Sequence, residues 1–273
     1  MINGQTEYVA IFGNPVAHSL SPQMHNAAFS HLGLNLAYLA FRVDEAGEAA
    51  SAIRKLGFRG ASITVPHKEK IIPHLDEVDE IGSTIGAVNT ILSREDRLYG
   101  SNTDWLGVVQ ALEQMTELGG KRGLILGAGG AARSAVYGLQ SKKTQVFIMN
   151  RNEARGQKLA AEMNCTFVPW QAWDQFRTDF VVNATTVGMS ATLDQSLVPA
   201  HWLRDGMVVL DMVYRPLKTR LLKDAERAGC SCVSGLDLLL YQGVAQFEIW
   251  TGKKAPVEVM RRALEEAAGE ETL

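Results

Sequence analysis

A lysine that follows a predicted strand is well suited to proton transfer. Lys68 ends the segment TVPHK at 64–68, and we expect it in the first turn of a helix. The positive end of a helix disfavours an ammonium ion, so a lysine there exchanges protons more readily near neutral pH. A nearby carboxylate would hold the side chain in place. Asp104 is the candidate carboxylate, although the same residue also suits a helix cap.

Two serines one residue apart indicate a second kind of chemistry, the binding of an anion. Ser19 and Ser21 lie between a predicted strand and a predicted helix, for which Ser21 and Pro22 suit the N-cap and the first helical position. Hydroxyl and N–H groups at a helix N-terminus bind carboxylates, and capping alone explains only one of the two serines. Asn89 is a further polar residue that follows an apolar run.

A glycine-rich turn predicts a dinucleotide site. Residues 124–132 read LILGAGGAA, so Gly127, Gly129 and Ala132 occupy the small positions of a G-x-G-x-x-A pattern between a strand and a helix. The first glycine permits the tight turn, the second lets the backbone approach a pyrophosphate, and the third position allows close helix–strand packing. A strand–helix turn without a ligand would show the same glycines, but the flanking strand and helix favour cofactor binding.

The end of the next strand indicates which dinucleotide is bound. Sites for NAD carry an acidic residue there, which bonds the ribose 2′-hydroxyl. Here the strand at 145–149 is followed by Asn150 and Arg151, with Arg155 one turn later. Because a guanidinium ion suits a 2′-phosphate, we predict NADP. The alternative is that both arginines are simply solvated at a helix start.

Short apolar runs alternate with helical patterns along the chain, which predicts an α/β fold. We expect strands at 9–12, 36–43, 61–65, 124–126, 145–149, 180–182, 207–210 and 230–233, and helices at 21–32, 46–56, 131–139, 236–250 and 256–268. The predicted architecture is an N-terminal α/β substrate domain plus a Rossmann-type NADP-binding domain. We place the Rossmann domain at 106–235 and the substrate domain at 1–105 and 236–273, so the C-terminal helices return to the first domain.

Composition argues against several classes of function. A net charge of −3 and a pI near 6.1 do not give the basic surface that nucleic acids require. There is no apolar run of membrane-spanning length and no signal-peptide pattern, so we predict a cytoplasmic protein without a membrane partner. Three cysteines fit a reducing compartment, and neither they nor His18, His25 and His67 have metal-site spacing. A monomer and a homodimer both fit this architecture.

Together these segments resemble the shikimate dehydrogenases from residue 14 to residue 252, nearly the whole chain. The segments that carry the resemblance are NPVAHSLSPQMHN at 14–26, TVPHK at 64–68, GAVNT at 86–90, NTD at 102–104, GAGGAA at 127–132, NR at 150–151 with Arg155, NATTVGM at 183–189, DMVY at 211–214 and QGVAQFEIWTG at 242–252. Each is modest evidence alone, but their order and spacing together are specific.

The resemblance implies a role for each matching residue. It implies that Ser19, Ser21 and Tyr214 bind the substrate carboxylate, that Thr64, Asn89, Asp104 and Gln242 bind the ring hydroxyls, and that Lys68 and Asp104 form the catalytic acid–base pair. It assigns the pyrophosphate to Gly127, Ala128, Gly129, Gly130 and Ala131, the 2′-phosphate end to Asn150, Arg151 and Arg155, and the nicotinamide end to Met212, Gly235 and Glu80.

The activity implied by the resemblance is a reversible, NADP-dependent reduction of 3-dehydroshikimate to shikimate, a step of chorismate and aromatic amino acid biosynthesis. Two alternatives stay open. A quinate/shikimate dehydrogenase that uses NAD or NADP would share these segments. A non-catalytic NADP-binding regulator would need the Rossmann half, but it would have no use for Lys68, Asp104 or the paired serines.

Overall fold

The computed structural model describes residues 2–269, without the side chain of Ser190. The α/β fold class is confirmed, and the chain divides into two compact units. The first unit comprises Met1–Thr103 and Gln242–Leu273, and the second comprises Asp104–Tyr241. This division falls after residues 103 and 241, whereas the predicted domain boundaries fall after residues 105 and 235. The assignment of substrate binding to one domain and of NADP binding to the other stays a prediction.

The first unit is built on a six-stranded mixed sheet. Its N-terminal elements are β1 (Glu7–Gly13), α1 (Ser21–His31), β2 (Leu36–Arg42), α2 (Ala46–Leu56), β3 (Gly60–Ile63), β4 (Glu77–Val78), α3 (Glu80–Ile85), β5 (Thr90–Arg94) and β6 (Arg97–Ser101). The strand order is β2-β1-β3-β5-β6-β4, with β1 parallel to both of its neighbours and β5 antiparallel to β3 and β6. The carboxyl ends of β1 and β3 therefore lie at one edge of the sheet.

The second unit is a parallel sheet with helices, as the Rossmann pattern predicts. Its elements are α4 (Asp104–Glu113), β7 (Arg122–Leu126), α5 (Gly130–Ser141), β8 (Gln145–Met149), α6 (Glu153–Glu162), β9 (Thr166–Phe167), β10 (Phe180–Asn183), β11 (Val208–Asp211), α7 (Arg220–Arg227) and β12 (Ser231–Val233). The strand order is β12-β11-β10-β7-β8-β9. Leu124 and Ile125 pack into different apolar clusters, because a parallel sheet is buried on both faces.

Two helices follow β12, namely α8 (Gly235–Thr251) and α9 (Val257–Gly269). From Gln242 onwards α8 belongs to the first unit, and α9 packs there against α1. The predicted return of the C-terminal helices is therefore confirmed. Trp250 of α8 donates its indole N–H to Ile91 O at 2.9 Å, which fastens α8 to β5. No helix within residues 2–269 is both long and apolar enough to cross a bilayer.

Candidate active site

Ser19 and Ser21 lie in the connection from β1 to α1, and both side chains are buried. The predicted N-cap is wrong: α1 begins at Ser21, but its N-cap is Leu20, whose φ of −90° and ψ of −4° are already helical. Ser21 therefore lies inside the first turn, and its N–H donates to Ser19 Oγ at 3.3 Å. Both serines stay at the helix N-terminus, where anions bind.

Lys68 does not lie in a helix, so this part of the prediction is wrong. The residue lies in a turn, and the next helical element is a short 3-10 helix, Ile72–His74. Pro73 is the physical reason, because it lacks an N–H and its ring clashes with the carbonyl group four residues earlier. An α-helix that began at Lys68 could not run through Pro73. The electric field of a helix N-terminus is therefore no argument for proton transfer by this lysine.

The structure brings Thr64, Lys68 and Asn89 together beside the carboxyl end of β3. Ile63 donates its N–H to Asn89 O at 2.8 Å, and Val88 donates its N–H to Lys68 O at 2.8 Å. These backbone hydrogen bonds join the chain that leaves β3 to the chain that enters β5. Three residues predicted to act on the substrate thus share one region of the first unit.

Gln242 joins this group from α8. Asn89 Nδ2 donates to Gln242 Oε1 at 3.3 Å, and both side chains are buried. Asp104, the first residue of α4, and Tyr214, which follows β11, belong to the second unit. Their predicted roles, including the pairing of Asp104 with Lys68, stay predictions.

The glycine-rich turn of the second unit fits a pyrophosphate. Gly127 has a φ of +116°, and a Cβ there would lie 3.1 Å from Ala184 O, so a side chain would be strained and crowded. The N-cap of α5 is Gly129, which has no side chain to cover the first-turn N–H groups. Ala132 is fully buried in the core beneath the turn. A bare helix N-terminus on a close-packed turn is the arrangement that binds phosphate groups.

Asn150, Arg151 and Arg155 follow β8, next to this turn. Arg155 lies in α6 and donates through Nε to Ala128 O at 3.0 Å, which holds its guanidinium against the glycine-rich turn. Asn150 Nδ2 donates to Asn152 O at 2.7 Å. The side chain of Arg151 is exposed where the chain bends before α6. Two cations thus flank the carboxyl end of β8, and the predicted 2′-phosphate contacts stay a prediction.

Met212 and Gly235 are brought together in the second unit, whereas Glu80 lies elsewhere. A Cβ on Gly235 would lie 2.5 Å from Met212 O, so only glycine permits this approach. Met212 donates its N–H to Asn183 O at 3.0 Å, which fixes the chain just beyond β11. Glu80 is an exposed residue at the start of α3, in the first unit. Its predicted nicotinamide contact stays a prediction.

Asp211, to which no role is predicted, is a buried carboxylate at the end of β11. Its Oδ1 accepts from Asn183 Nδ2 at 2.8 Å and from Val213 N–H at 3.1 Å, and its Oδ2 accepts from Thr219 Oγ1 at 2.6 Å. Burial raises the pKa of Asp211 to about 6, although these three hydrogen bonds act in the opposite direction. The signal that could have found it is an acid that ends an otherwise apolar strand.

We expect Asp211→Asn to remove part of the pH dependence of stability. Because the pKa of Asp211 rises from 3.8 to about 6 on folding, the folded protein holds this proton more tightly than the unfolded chain. The resulting contribution to the free energy of unfolding is present in full below the unfolded pKa and is lost as pH rises through the folded pKa. The loss is on the order of 3 kcal/mol, at about 1.4 kcal/mol for each pKa unit.

Urea unfolding of the wild-type protein and the variant across this pH window measures the effect. Asp194→Asn is the control for the loss of one charge, because Asp194 is exposed on a loop. Equal slopes of stability against pH in wild type and Asp211→Asn would contradict the expectation.

His25 is a packing residue. It is fully buried and stacks on Tyr38, with ring centroids 4.6 Å apart and an angle of 6° between the planes. Burial lowers the pKa of His25 to about 3, so its ring is neutral at physiological pH. In the part of the chain that the structure describes, no three His, Cys, Asp or Glu side chains form a group able to hold a metal ion.

Three family models match this chain. The model of the shikimate dehydrogenase substrate binding domain matches residues 11–91, and that of shikimate / quinate 5-dehydrogenase matches residues 110–209. The model of the shikimate 5′-dehydrogenase C-terminal domain matches residues 235–265. The matches thus extend over both units.

Similar proteins are known from several organisms. The shikimate dehydrogenase (NADP(+)) of Syntrophobacter fumaroxidans is 45% identical over 98% of this chain and 96% of that protein. A Thermus thermophilus shikimate 5-dehydrogenase, solved in complex with NADP(H) and shikimate, is 37% identical, with a TM-score of 0.89 over 96% of this chain and 99% of that one. A Listeria monocytogenes shikimate 5-dehydrogenase, solved with shikimate and NAD, is 36% identical, with a TM-score of 0.87 over 96% and 98%.

Proposed function

The chain belongs to the shikimate dehydrogenase family, and on that premise we propose that it catalyses the reversible, NADP-dependent reduction of 3-dehydroshikimate to shikimate. The observation that supports the proposal is the similarity to the shikimate dehydrogenase (NADP(+)) of Syntrophobacter fumaroxidans over 98% of the chain. This similarity extends over the predicted substrate residues of the first unit and the glycine-rich turn of the second. The reaction would serve chorismate and aromatic amino acid biosynthesis.

The first unit supplies most of the proposed substrate contacts. The hydroxyl groups of Ser19 and Ser21, at the N-terminus of α1, bind the carboxylate, and Tyr214 assists. Thr64, Asn89, Asp104 and Gln242 bind the ring hydroxyls. The clustering of Thr64 and Asn89 beside the end of β3, with Gln242 hydrogen-bonded to Asn89, supports this assignment.

Lys68 and Asp104 are the proposed acid–base pair. In the reductive direction the Lys68 ammonium donates a proton to the alkoxide oxygen formed at the reacting ring carbon, and in the oxidative direction the neutral amine takes it back. Asp104 balances the lysine charge and orients it. The resemblance supports this pair, whereas the helix position first expected for Lys68 no longer does.

Gly127 to Ala131 hold the pyrophosphate of NADP, and Asn150, Arg151 and Arg155 hold its 2′-phosphate end. Met212, Gly235 and Glu80 are assigned to the nicotinamide end. When bound, the cofactor supplies or accepts the hydride, and the chain supplies orientation and charge. The uncovered N-terminus of α5 and the guanidinium of Arg155 against the turn support this assignment.

A second candidate is a quinate/shikimate dehydrogenase that also accepts NAD. The family model over residues 110–209 includes quinate enzymes, and the Listeria monocytogenes relative was solved with NAD. A non-catalytic NADP-binding regulator is the third possibility. It would bind the cofactor without turning over shikimate.

The deciding experiment is an absorbance assay of reduced nicotinamide with shikimate or quinate and NADP or NAD in all four pairings. We expect the highest kcat/KM for shikimate with NADP. Comparable values with quinate or NAD would establish the second candidate instead. If the protein bound a cofactor but showed no turnover in any of the four pairings, the result would support the non-catalytic regulator.

We also propose a cytoplasmic location and small-molecule partners only. The three cysteines, Cys165, Cys230 and Cys232, are free thiols, which suits a reducing compartment. The net negative charge gives no support for a nucleic-acid partner. A monomer and a homodimer are both compatible with the proposal.

A further inference from the structure

A buried chain of hydrogen bonds leads through the first unit to the amides of Asn89 and Gln242. Its other members lie on β2, β3, β5 and α8, and they are Tyr38, Ser62, Thr90 and Gln246. None of these four belongs to the proposed substrate contacts. All of them are buried, so the hydrogen bonds are shielded from exchange with solvent.

The chain of hydrogen bonds begins at Tyr38, whose hydroxyl donates to Ser62 Oγ at 2.7 Å. Ser62 Oγ donates to Gln246 Oε1 at 2.9 Å, and Gln246 Nε2 donates to Thr90 Oγ1 at 3.0 Å. Thr90 Oγ1 donates to Asn89 Oδ1 at 2.7 Å. Asn89 Nδ2 then donates to Gln242 Oε1 at 3.3 Å.

Two backbone groups fix the direction of these hydrogen bonds independently of how the side-chain amides are assigned. Asn89 O can only accept, and it lies 3.2 Å from Gln246 Nε2, so that end of the Gln246 amide must be the nitrogen. Gln246 Oε1 consequently faces Ser62, which must donate. Thr103 N–H can only donate, and it lies 2.7 Å from Asn89 Oδ1, so that end of the Asn89 amide must be the oxygen.

We propose that Gln246 is a positioning residue, which acts through Thr90 and the Asn89 backbone to hold the amides of Asn89 and Gln242 in place for the substrate. The inference rests on the proposed function. Asn89 Nδ2 faces Gln242 Oε1, so the Gln242 nitrogen, a donor, is directed away from Asn89. Thr103 N–H sets which end of the Asn89 amide is the oxygen. Gln246 holds the backbone that carries this amide, because its Nε2 donates to Asn89 O and to Thr90 Oγ1.

Loss of this orientation weakens substrate binding more than it slows turnover. An amide that shifts with its backbone no longer places its donor against the substrate oxygen, which leaves buried polar groups unsatisfied. Gln246 touches neither the reacting atoms nor the proposed proton donor. The effect of a Gln246 variant is therefore expected mainly in KM and in the Kd for shikimate.

The test compares Gln246→Met with a matched control on the same helix, Trp250→Phe. Trp250 lies one turn beyond Gln246 and is equally buried. Its side chain makes one hydrogen bond to the backbone of β5, but it is not a member of the chain of hydrogen bonds. We expect Gln246→Met to raise KM for shikimate by about tenfold or more, the scale of one unsatisfied buried polar group, and to change kcat less. Trp250→Phe is expected to change KM by less than about threefold.

Gln246→Glu adds a second measurement, the pH dependence of KM, which a purely structural role of Gln246 would not affect. A neutral carboxyl keeps an acceptor and one of the two donors of the amide, whereas an ionised carboxylate only accepts. Burial favours the neutral form, so the ratio of the variant KM to the wild-type KM is expected to be smaller at lower pH and to rise as the carboxyl ionises. For Gln246→Met the same ratio is expected to be independent of pH. His25, which stacks on Tyr38, stays neutral across this range because burial lowers its pKa to about 3.

Three results would overturn the inference while leaving the proposed function intact. One is a Gln246→Met variant whose KM matches that of Trp250→Phe. Another is a pH-independent KM ratio for Gln246→Glu. If neither Gln246 variant folds, Ser62→Ala removes one hydroxyl of the same chain, and a wild-type KM for that variant counts against the inference. If the wild-type protein did not turn over shikimate, that result would instead contradict the proposed function.

Discussion

Lys68→Ala is expected to lower kcat for shikimate oxidation by about 10² or more, with a smaller change in KM. The proposed acid–base role acts on the chemical step, so its loss raises the barrier without removing most of the substrate contacts. The fold should survive the change, because Lys68 is joined to Val88 through its backbone oxygen, which alanine retains. Initial rates at saturating NADP over a range of shikimate concentrations measure both constants.

Lys70→Ala is the matched control for Lys68→Ala. Lys70 is an exposed lysine in the same turn, and no role in the reaction is assigned to it. We expect near wild-type kcat for this variant. A Lys68→Ala enzyme with a kcat close to that of Lys70→Ala would show that another group moves the proton.

Arg151→Ala is expected to lower kcat/KM for NADP by about 10- to 100-fold, the scale of one charge-assisted hydrogen bond. The value for NAD should change little, because NAD lacks the 2′-phosphate that the guanidinium is proposed to bind. The exposed side chain of Arg151 makes it the cleaner choice of the two arginines. Arg155 also donates to Ala128 O, so its removal is expected to disturb the turn for both cofactors.

Steady-state kinetics with each cofactor, at saturating shikimate, check the Arg151 prediction. Lys158→Ala is the control, because it removes an exposed cation from the neighbouring helix α6, and no role in the proposed site is assigned to Lys158. Equal losses with NADP and NAD in Arg151→Ala would mean that the residue supports the turn rather than the 2′-phosphate.

The dinucleotide turn and the α/β class can be predicted from the sequence, because both depend on near neighbours in the chain. The positive φ of Gly127 and the small residue at Ala132 follow from the G-x-G-x-x-A pattern. The helix Ala46–Leu56 has the predicted bounds, since it carries a capping box at its start and a left-handed glycine after its end. The strand Gln145–Met149 also has its predicted bounds.

Elements without strong local signals are absent from the prediction. The hairpin of β5 and β6 turns through Glu95 and Asp96, whose φ values of +52° and +60° are usually adopted by asparagine and glycine. The opposite error occurs at Lys68, where a helix is expected although Pro73 stops it. The helices α3, α4, α6 and α7 are also not among those expected from periodicity, although α3, α6 and α7 each have a side-chain N-cap, namely Asp79, Asn152 and Thr219.

The family, the residue types proposed for the substrate and cofactor sites, and the alternation of strands and helices can all be predicted from the amino-acid sequence. The folded structure is needed to show that Ser62 reaches Gln246, 184 positions away, and that Thr103 N–H orients Asn89. It is also needed to show that burial raises the pKa of Asp211 and lowers that of His25. The physical reason is that hydrogen-bond direction and desolvation depend on the groups that surround a side chain in space, most of which are distant along the chain.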